Sequence, residues 1–321
     1  MDVLTDLLLR SRARGAGFAY STVRGPGGMW FPPGPGLAVH VMVEGEAHLR
    51  LDGGTTAQRV VPGDVAVVRG ASAHGLVTPA DAASESLIDV LAAGPEPGSS
   101  RHYAVGDPAA APAAVFFCGA YLFEGDLCGA LLAELPESLV VRAPAGSGLR
   151  STTDLLGREV LADAPGQQAL LDRLLDVALV QVLRQHFADA GPAAPPWFRA
   201  AGDPSVGAAL RALHADPAAP WTVASLAAEA SLSRGAFARR FRELLGAAPL
   251  AYLTDWRMAL ARERLREGAD GLAAVAASVG YRSEFAFAAA FKRHHGTSPG
   301  RWRAGARAGA HAGQVRAGSK P

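Results

Sequence analysis

One pattern occurs twice in the last third of the chain and leaves few folds open. It is a short Ala-rich apolar segment, a turn of small residues, then a segment with two Phe four positions apart and cations outside them. In the first copy Val223 to Ala230 reads as a short helix, and Ser231-Leu232-Ser233 is the turn. Ser233 is a sound N-cap, because its hydroxyl can accept from an otherwise orphaned backbone amide. Arg234 to Leu245 follows, with Phe237, Phe241, Leu244 and Leu245 on one face and Arg234, Arg239, Arg240 and Arg242 on the other. Gly246 ends it and Pro249 opens the next helix. In the second copy Leu272 to Val279 is the short helix and Gly280-Tyr281-Arg282-Ser283 the turn. Glu284 to His295 follows, with Phe287 and Phe291 inside, Lys292 and Arg293 outside, and Gly296 as cap. Small residues such as Ala227 and Ala276 stand where two helices must cross closely. A major groove about 12 Å wide admits one such helix, whose outward side chains reach base edges. Pro249 to Arg266 is long enough to hold two recognition helices a fixed distance apart.

The charge distribution agrees with a polyanion partner for this third. Residues 200–321 hold 17 Lys and Arg against 9 Asp and Glu, a net of +8, while residues 1–199 hold 14 against 21, a net of −7. The whole-chain value of +1 hides this split.

The length of 321 residues argues for two domains, and 49% hydrophobic with 19% charged residues places the chain among globular proteins. No apolar run approaches the roughly 18 residues that span a bilayer. The N-terminus carries acids where a leader peptide needs bases, and Leu7-Leu8-Leu9 is a short apolar run. A cytoplasmic protein with no membrane contact is expected. Cys118 and Cys128 are too few for a disulfide framework or a structural zinc site.

Residues 1 to about 160 alternate short apolar segments with Gly and Pro turns. Leu37 to Val43 and Ala47 to Leu51 flank Glu44-Gly45-Glu46 and read as a hairpin. Pro62-Gly63-Asp64 is a turn between two β-branched runs. An all-β barrel or jelly roll is expected here. From Pro165 the period changes: Leu170, Leu171, Leu174, Leu175, Ala178, Leu179, Val182 and Leu183 recur at helical spacing up to Gly191. The stripe fits a dimer interface or packing on the chain's own barrel. Gly191-Pro192-Ala193-Ala194-Pro195-Pro196 reads as a linker, and the tail after Arg303 lacks apolar periodicity.

Residues 203–303 resemble the DNA-binding domain of the AraC/XylS family of transcription activators. The resemblance rests on Leu226 to Ser233 in the first unit, on Tyr252-Leu253 with Trp256-Arg257-Met258 between the units, and on Gly280-Tyr281, Ser283, Phe287, Phe291-Lys292 and Gly296-Thr297-Ser298-Pro299 in the second. It implies a sequence-specific regulator, not an enzyme, that binds double-stranded DNA and works with RNA polymerase as an activator or a repressor, and the apolar stripe from Leu170 to Leu183 leads to the expectation of a homodimer. Arg239 matches the family's base-reading Arg, with Gly235 and Ala238 at neighbouring contact positions. The second unit has Ala289 where the family commonly has Arg. Arg234, Arg240, Arg242, Arg282, Ser283, Glu284, Lys292 and Arg293 complete the expected DNA surface.

The N-terminal part resembles the cupin-type sensor domains found ahead of such DNA-binding domains. Gly34, His40, Glu46 and Gly53 fall at the spacing of the first cupin motif, and Gly63 and His74 fit the second. Met42 stands where metal-binding cupins have a second His. Positions 40 and 42 share a strand face, so His40, Glu46 and His74 can make a two-His, one-carboxylate site. The reading adopted is a small-molecule effector pocket at these three residues, with no metal and no cofactor. Cys118 sits among aromatics, which implies a buried, inert thiol.

The expected fold is therefore α+β in two domains. Residues 1–190 form an all-β cupin-like barrel with a helical segment, for effector binding and dimerisation. Residues 191–202 are a Pro-rich linker, 203–303 an all-α double helix-turn-helix domain, and 304–321 a disordered tail.

Overall fold

The structure is a computed structural model that describes residues 4–5, 18–34, 36–54, 56–81, 87–89, 102–121, 132–160, 162, 164–268 and 270–305. Cys128 and most of the tail, residues 306–321, lie outside the described residues. The chain divides into two compact units, with the boundary between Gly191 and Pro192.

The first unit holds eleven described strands in two sheets. The six-stranded sheet runs β11 (Ser138–Val141), β6 (Val65–Arg69), β3 (Leu37–Gly45), β10 (Pro112–Tyr121), β1 (Phe18–Arg24), β9 (His102–Gly106). The five-stranded sheet runs β5 (Ala57–Val60), β4 (Ala47–Leu51), β7 (His74–Thr78), β2 (Gly27–Phe31), β8 (Leu87–Asp89). Both sheets give residues to one apolar interior, including Val23, Met42, Val68 and Phe116 from the first and Met29, Leu49 and Leu76 from the second. Among the described residues the architecture is a cupin-like sandwich of two sheets, not a closed barrel.

The expected hairpin around Gly45 does not form. β3 and β4 follow each other in sequence but lie in different sheets, so the chain changes sheet at this point. Gly45 has φ +76°, and a side chain there would overlap the Ala113 carbonyl, so the tight corner requires glycine. The Pro62-Gly63-Asp64 turn also carries the chain between sheets, from β5 to β6. Asp64 steadies it by accepting the Val61 amide at 3.2 Å.

Helices α1 (Gly148–Val160) and α2 (Gln167–Asp189) close this unit. On α2 the residues Leu171, Leu175, Ala178, Leu179, Val182, Leu183 and Phe187 are buried, so most of the apolar stripe packs on its own unit. Leu170 and Val177 remain exposed.

The second unit is helical. Residues 191–202 are not an extended linker: Gly191–Ala193 is a 3-10 turn and Pro196–Gly202 is helix α3. Pro196 sits at the first helical turn, where a missing N–H costs nothing. After α4 (Val206–Ala215) come α5 (Val223–Glu229) and α6 (Arg234–Leu245), then α7 (Pro249–Glu267), then α8 (Leu272–Ser278) and α9 (Glu284–His295). Thr222 and Ser225 cap α5 reciprocally at 3.0 and 2.9 Å. Residues 299–305 are helical, and Trp302 there lies under the Arg262 guanidinium at 4.2 Å.

Helix α7 is the strut between the two helical pairs, with Leu253, Met258, Leu260, Ala261 and Leu265 buried. Its Tyr252 hydroxyl is 2.9 Å from Nε2 of buried His214, whose ring also lies 4.4 Å from that of Trp256. Arg257 donates to the carbonyls of Pro217 and Ala219 at 2.7 and 2.8 Å and so ties α7 to the segment before α5. Gly280, with φ +81°, backs onto this knot: a Cβ there would lie 2.7 Å from the Ala218 oxygen and 2.8 Å from Arg257.

Candidate functional site

Helices α6 and α9 are related by a constant offset of fifty positions, from N-cap Ser233 to N-cap Ser283 and from C-cap Gly246 to C-cap Gly296. Both N-cap hydroxyls accept the amide three residues on, at 3.3 and 3.2 Å. Both helices bury their Phe pair, Phe237 with Phe241 and Phe287 with Phe291. That burial fixes which residues face outward. On α6 the stripe opposite the Phe pair is Gly235, Arg239 and Arg242, at i, i+4 and i+7. On α9 the corresponding stripe is Phe285, Ala289 and Lys292.

Most of the residues expected to face DNA are exposed. Arg234, Gly235, Arg239 and Arg242 are exposed on α6, and Ala238 is half-buried beside them. Arg282, Ser283, Glu284, Lys292 and Arg293 are exposed around α9. Arg239 keeps a loose ion pair with Glu243 at 3.7 Å and is 73% exposed, so its guanidinium is available to a ligand. An open hollow of about 370 Å³ lies over Gly235, Ala238, Arg239, Arg242 and Glu243.

Arg240 departs from the expectation. It turns off the outward stripe and donates to the Asp203 carboxylate from Nε and Nη2 at 3.1 and 2.9 Å. The same carboxylate accepts the Ser205 and Val206 amides at the start of α4. Burial pushes the Asp203 carboxyl up, but the Val206 amide, the Arg240 guanidinium and the Ser205 amide together hold it below its ordinary value. Arg240 therefore braces α6 against the start of the unit, while its side chain stays 49% exposed. Phe285 stands on the outward stripe of α9 and was not among the residues expected at the DNA surface. It is 82% exposed at the start of α9, and comparing position 285 with Gly235 across the repeat would have flagged it.

In the first unit His40 on β3 and His74 on β7 meet across the sandwich, each 2% exposed. His40 Nε2 is 2.8 Å from His74 Nε2, and His40 Nδ1 is 2.9 Å from the Cys118 sulfur. His74 Nδ1 is 3.1 Å from the Ser72 carbonyl oxygen. A carbonyl only accepts, so His74 carries its proton on Nδ1 and presents a lone pair at Nε2. His40 then donates from Nε2, and its Nδ1 accepts the Cys118 thiol proton. The result is a chain of three neutral groups with every ring nitrogen engaged. The packed interior agrees: Phe31 lies 4.7 Å from the His40 ring and 5.2 Å from the His74 ring. Burial, with His74 adding to it, drives His40 well below its ordinary pKa. Burial lowers His74 to about 4 against a small opposing effect of the Ser72 carbonyl. Burial also pushes the Cys118 thiol up.

Glu46 does not join the histidines. It lies at the surface, 42% exposed, and accepts from Arg59 at 2.6 Å. Arg59 holds its carboxyl below the usual range. The two-His, one-carboxylate arrangement is thus not assembled, and the three-residue pocket reduces to a buried His–His–Cys chain. A surface opening lies elsewhere on this unit: a cleft of about 290 Å³ between the sandwich and α1. Met42, Val43 and Gly63 line one side, Thr153, Asp154 and Arg158 the other.

Comparison with known proteins places these two units. A family described as "Cupin" matches residues 2–188, and one described as "Helix-turn-helix domain" matches residues 226–305. An AraC-like transcription regulator of Streptomyces antibioticus is 42% identical over 177 residues, which make up 54% of this chain and 58% of that protein. The chain thus matches a little over half the length of that relative. The HTH-type transcriptional regulator AlkR of Acinetobacter baylyi is 28% identical over 309 residues, 94% of this chain and 99% of its own. Among solved structures, the DNA-binding domain of AdpA in complex with a target DNA is 37% identical, covers 33% of this chain and 96% of that one, and has a TM-score of 0.31.

Proposed function

The chain belongs to the cupin family, and from that premise we propose that it is an AraC-type DNA-binding transcription regulator in which a small molecule bound in the cupin unit controls how the helical unit grips its operator. Its relatives are transcription regulators and not enzymes. No helix among the described residues is long and apolar enough to cross a membrane.

The observation that carries the DNA reading is the matched pair of outward stripes on α6 and α9, each opposite a buried Phe pair. Arg239 and Arg242 point the first helix at base edges and phosphates, and Lys292 with Arg293 point the second. Arg282, Ser283 and Glu284 sit at the N-terminal end of α9, the end of a recognition helix that enters the groove first. Binding of the full chain to duplexes selected from random DNA, followed by fluorescence anisotropy across a salt series, tests this. Affinity should fall steeply with salt, as counterions are released from neutralised phosphates. Failure to retain any duplex at low salt sinks the reading.

The cleft beside α1 supports effector control, because it combines apolar Met42 and Val43 with polar Thr153, Asp154 and Arg158. Coupling is reciprocal, so an effector that changes DNA affinity must itself bind more tightly or more weakly when operator is present. A thermal-shift screen of small metabolites, with each hit titrated with and without operator, reads this directly. Hits whose affinities ignore DNA remove effector control from the proposal. The exposed Leu170 and Val177 on α2 support a homodimer, and RNA polymerase is the partner through which an operator-bound activator acts.

A further inference from the structure

Phe285 is the most exposed large apolar side chain among the described residues that stand out as exposed, at 82%. Leaving a Phe in water forgoes burial that would stabilise almost any fold. Its neighbours did not have to leave it so: Phe287, two positions on, is fully buried. Phe285 is outside because of the helix register. It begins the stripe Phe285, Ala289, Lys292, which runs opposite the buried Phe287 and Phe291.

The repeat sharpens the point. At the same position α6 has Gly235, and the surface there is a hollow rimmed by Arg239 and Arg242. At the next position along the stripe α6 has Arg239 and α9 has Ala289. The two helices therefore present opposite chemistries on one geometry. Helix α6 offers guanidinium groups around a hollow. Helix α9 offers a projecting aromatic ring beside a small Ala289 and half-buried Ala288, with Lys292 further along. The small residues let the helix approach closely, and Lys292 supplies phosphate attraction without base choice.

In the major groove the apolar feature that distinguishes one base from the others is the C5-methyl of thymine. We propose that Phe285 is the base-reading residue of the second helix and that it recognises thymine by covering its methyl group, an inference that rests on the DNA-binding reading above. The operator is then asymmetric in chemistry: one half chosen by guanidinium donors at α6, the other by an apolar contact at α9.

The test separates this inference from the reading beneath it. Full-length protein is first used to select its operator from random DNA. In that operator, single thymines in the half beneath α9 are replaced by deoxyuridine, which removes only the methyl. Wild type should lose about fourfold in affinity at one or two of these positions, the equivalent of one buried methyl. Phe285→Ala should bind the unmodified operator about tenfold more weakly and be indifferent to deoxyuridine. Because Phe285 is exposed, the variant should keep the wild-type melting temperature. If wild type binds no duplex, the DNA reading itself fails and this inference with it. If wild type binds a defined operator but tolerates deoxyuridine throughout that half, or if Phe285→Ala remains as sensitive as wild type, Phe285 does not read thymine and its exposure serves a protein contact instead.

Discussion

Protonating His40 or His74 would place a cation inside an apolar sandwich and remove an acceptor that the next group in the chain needs. The folded protein therefore keeps both neutral. Unfolded, each takes a proton near pH 6.5, whereas folded His74 does so only near pH 4. The unfolded state thus binds more protons as pH falls. The stability linked to these residues is full above about pH 6.5 and is lost as pH falls toward 4. For His74 alone the loss is on the order of 3 kcal/mol. Urea unfolding at steps between those pH values should show the decline, and His74→Leu should show a shallower one. Parallel declines in the two proteins would remove the assignment. Cys118 belongs to the same chain of bonds, and its buried thiol should alkylate far more slowly in native protein than in urea when its peptide is followed by mass spectrometry. Rapid native labelling would contradict the burial. The spacing of His40 and His74 was readable in the sequence as a cupin resemblance, and their meeting follows from the packing of the two sheets face to face. Their sulfur partner was not readable, because the pairing of β3 with β10 joins residues far apart in the chain. Glu46 misled for a related reason. Motif spacing gives a position along the chain, but the change of sheet at Gly45 decides which way the next side chain points.

Short helices are held by their ends, and in the helical unit one carboxylate serves two helices at once. Asp203 accepts two amides at the start of α4 and the Arg240 guanidinium from α6. Asp203→Ala should cost about 1–3 kcal/mol, since charge-assisted bonds of this kind carry that much. Arg240→Ala should cost part of the same amount and leave the base preference of the selected operator unchanged. Thermal melts check the first statement, and repeated DNA selection checks the second. An altered base preference in Arg240→Ala would show that Arg240 reads DNA as well as bracing α6. Gly280→Ala should also destabilise, by about 1–3 kcal/mol, because alanine there meets both a left-handed backbone and the Arg257 knot. A variant that melts with wild type would show that the knot yields. Helix ends were the most readable elements in the sequence. Ser233, Gly246, Pro249, Ser283 and Gly296 all occupy the cap or first-turn positions their chemistry suits. Helix α3 was not readable. Its seven residues are too few to establish a period, and the two prolines that signal a linker can equally open a helix. The Gly45 corner failed similarly, since a Gly between two apolar runs looks the same whether the strands pair or part.

The molecule as a whole segregates charge, with +8 on residues 200–321 and −7 on the rest. An acidic cupin unit repels a polyanion, so this split would steer DNA to the helical unit on the proposed reading. On the same reading, affinity and sequence choice come from different residues of that unit. Arg239 lies mid-stripe on α6, 73% exposed, where a bidentate contact to guanine is worth about 1–3 kcal/mol of discrimination. Lys292 lies toward the C-terminal end of its stripe, where, on the proposed reading, a compact ammonium meets phosphate without base information. Two different failures are expected from their removal. Arg239→Ala should flatten base preference in the half of the operator under α6 while preserving that under α9. Lys292→Ala should weaken operator and random duplex about equally and reduce the salt slope by about one unit, corresponding to one phosphate contact. Selection on randomised DNA reads the first effect, and anisotropy titrations between low and physiological salt read the second. An Arg239→Ala protein that selects the wild-type sequence, or a Lys292→Ala protein that loses operator affinity alone, would reverse the division of labour between the two helices.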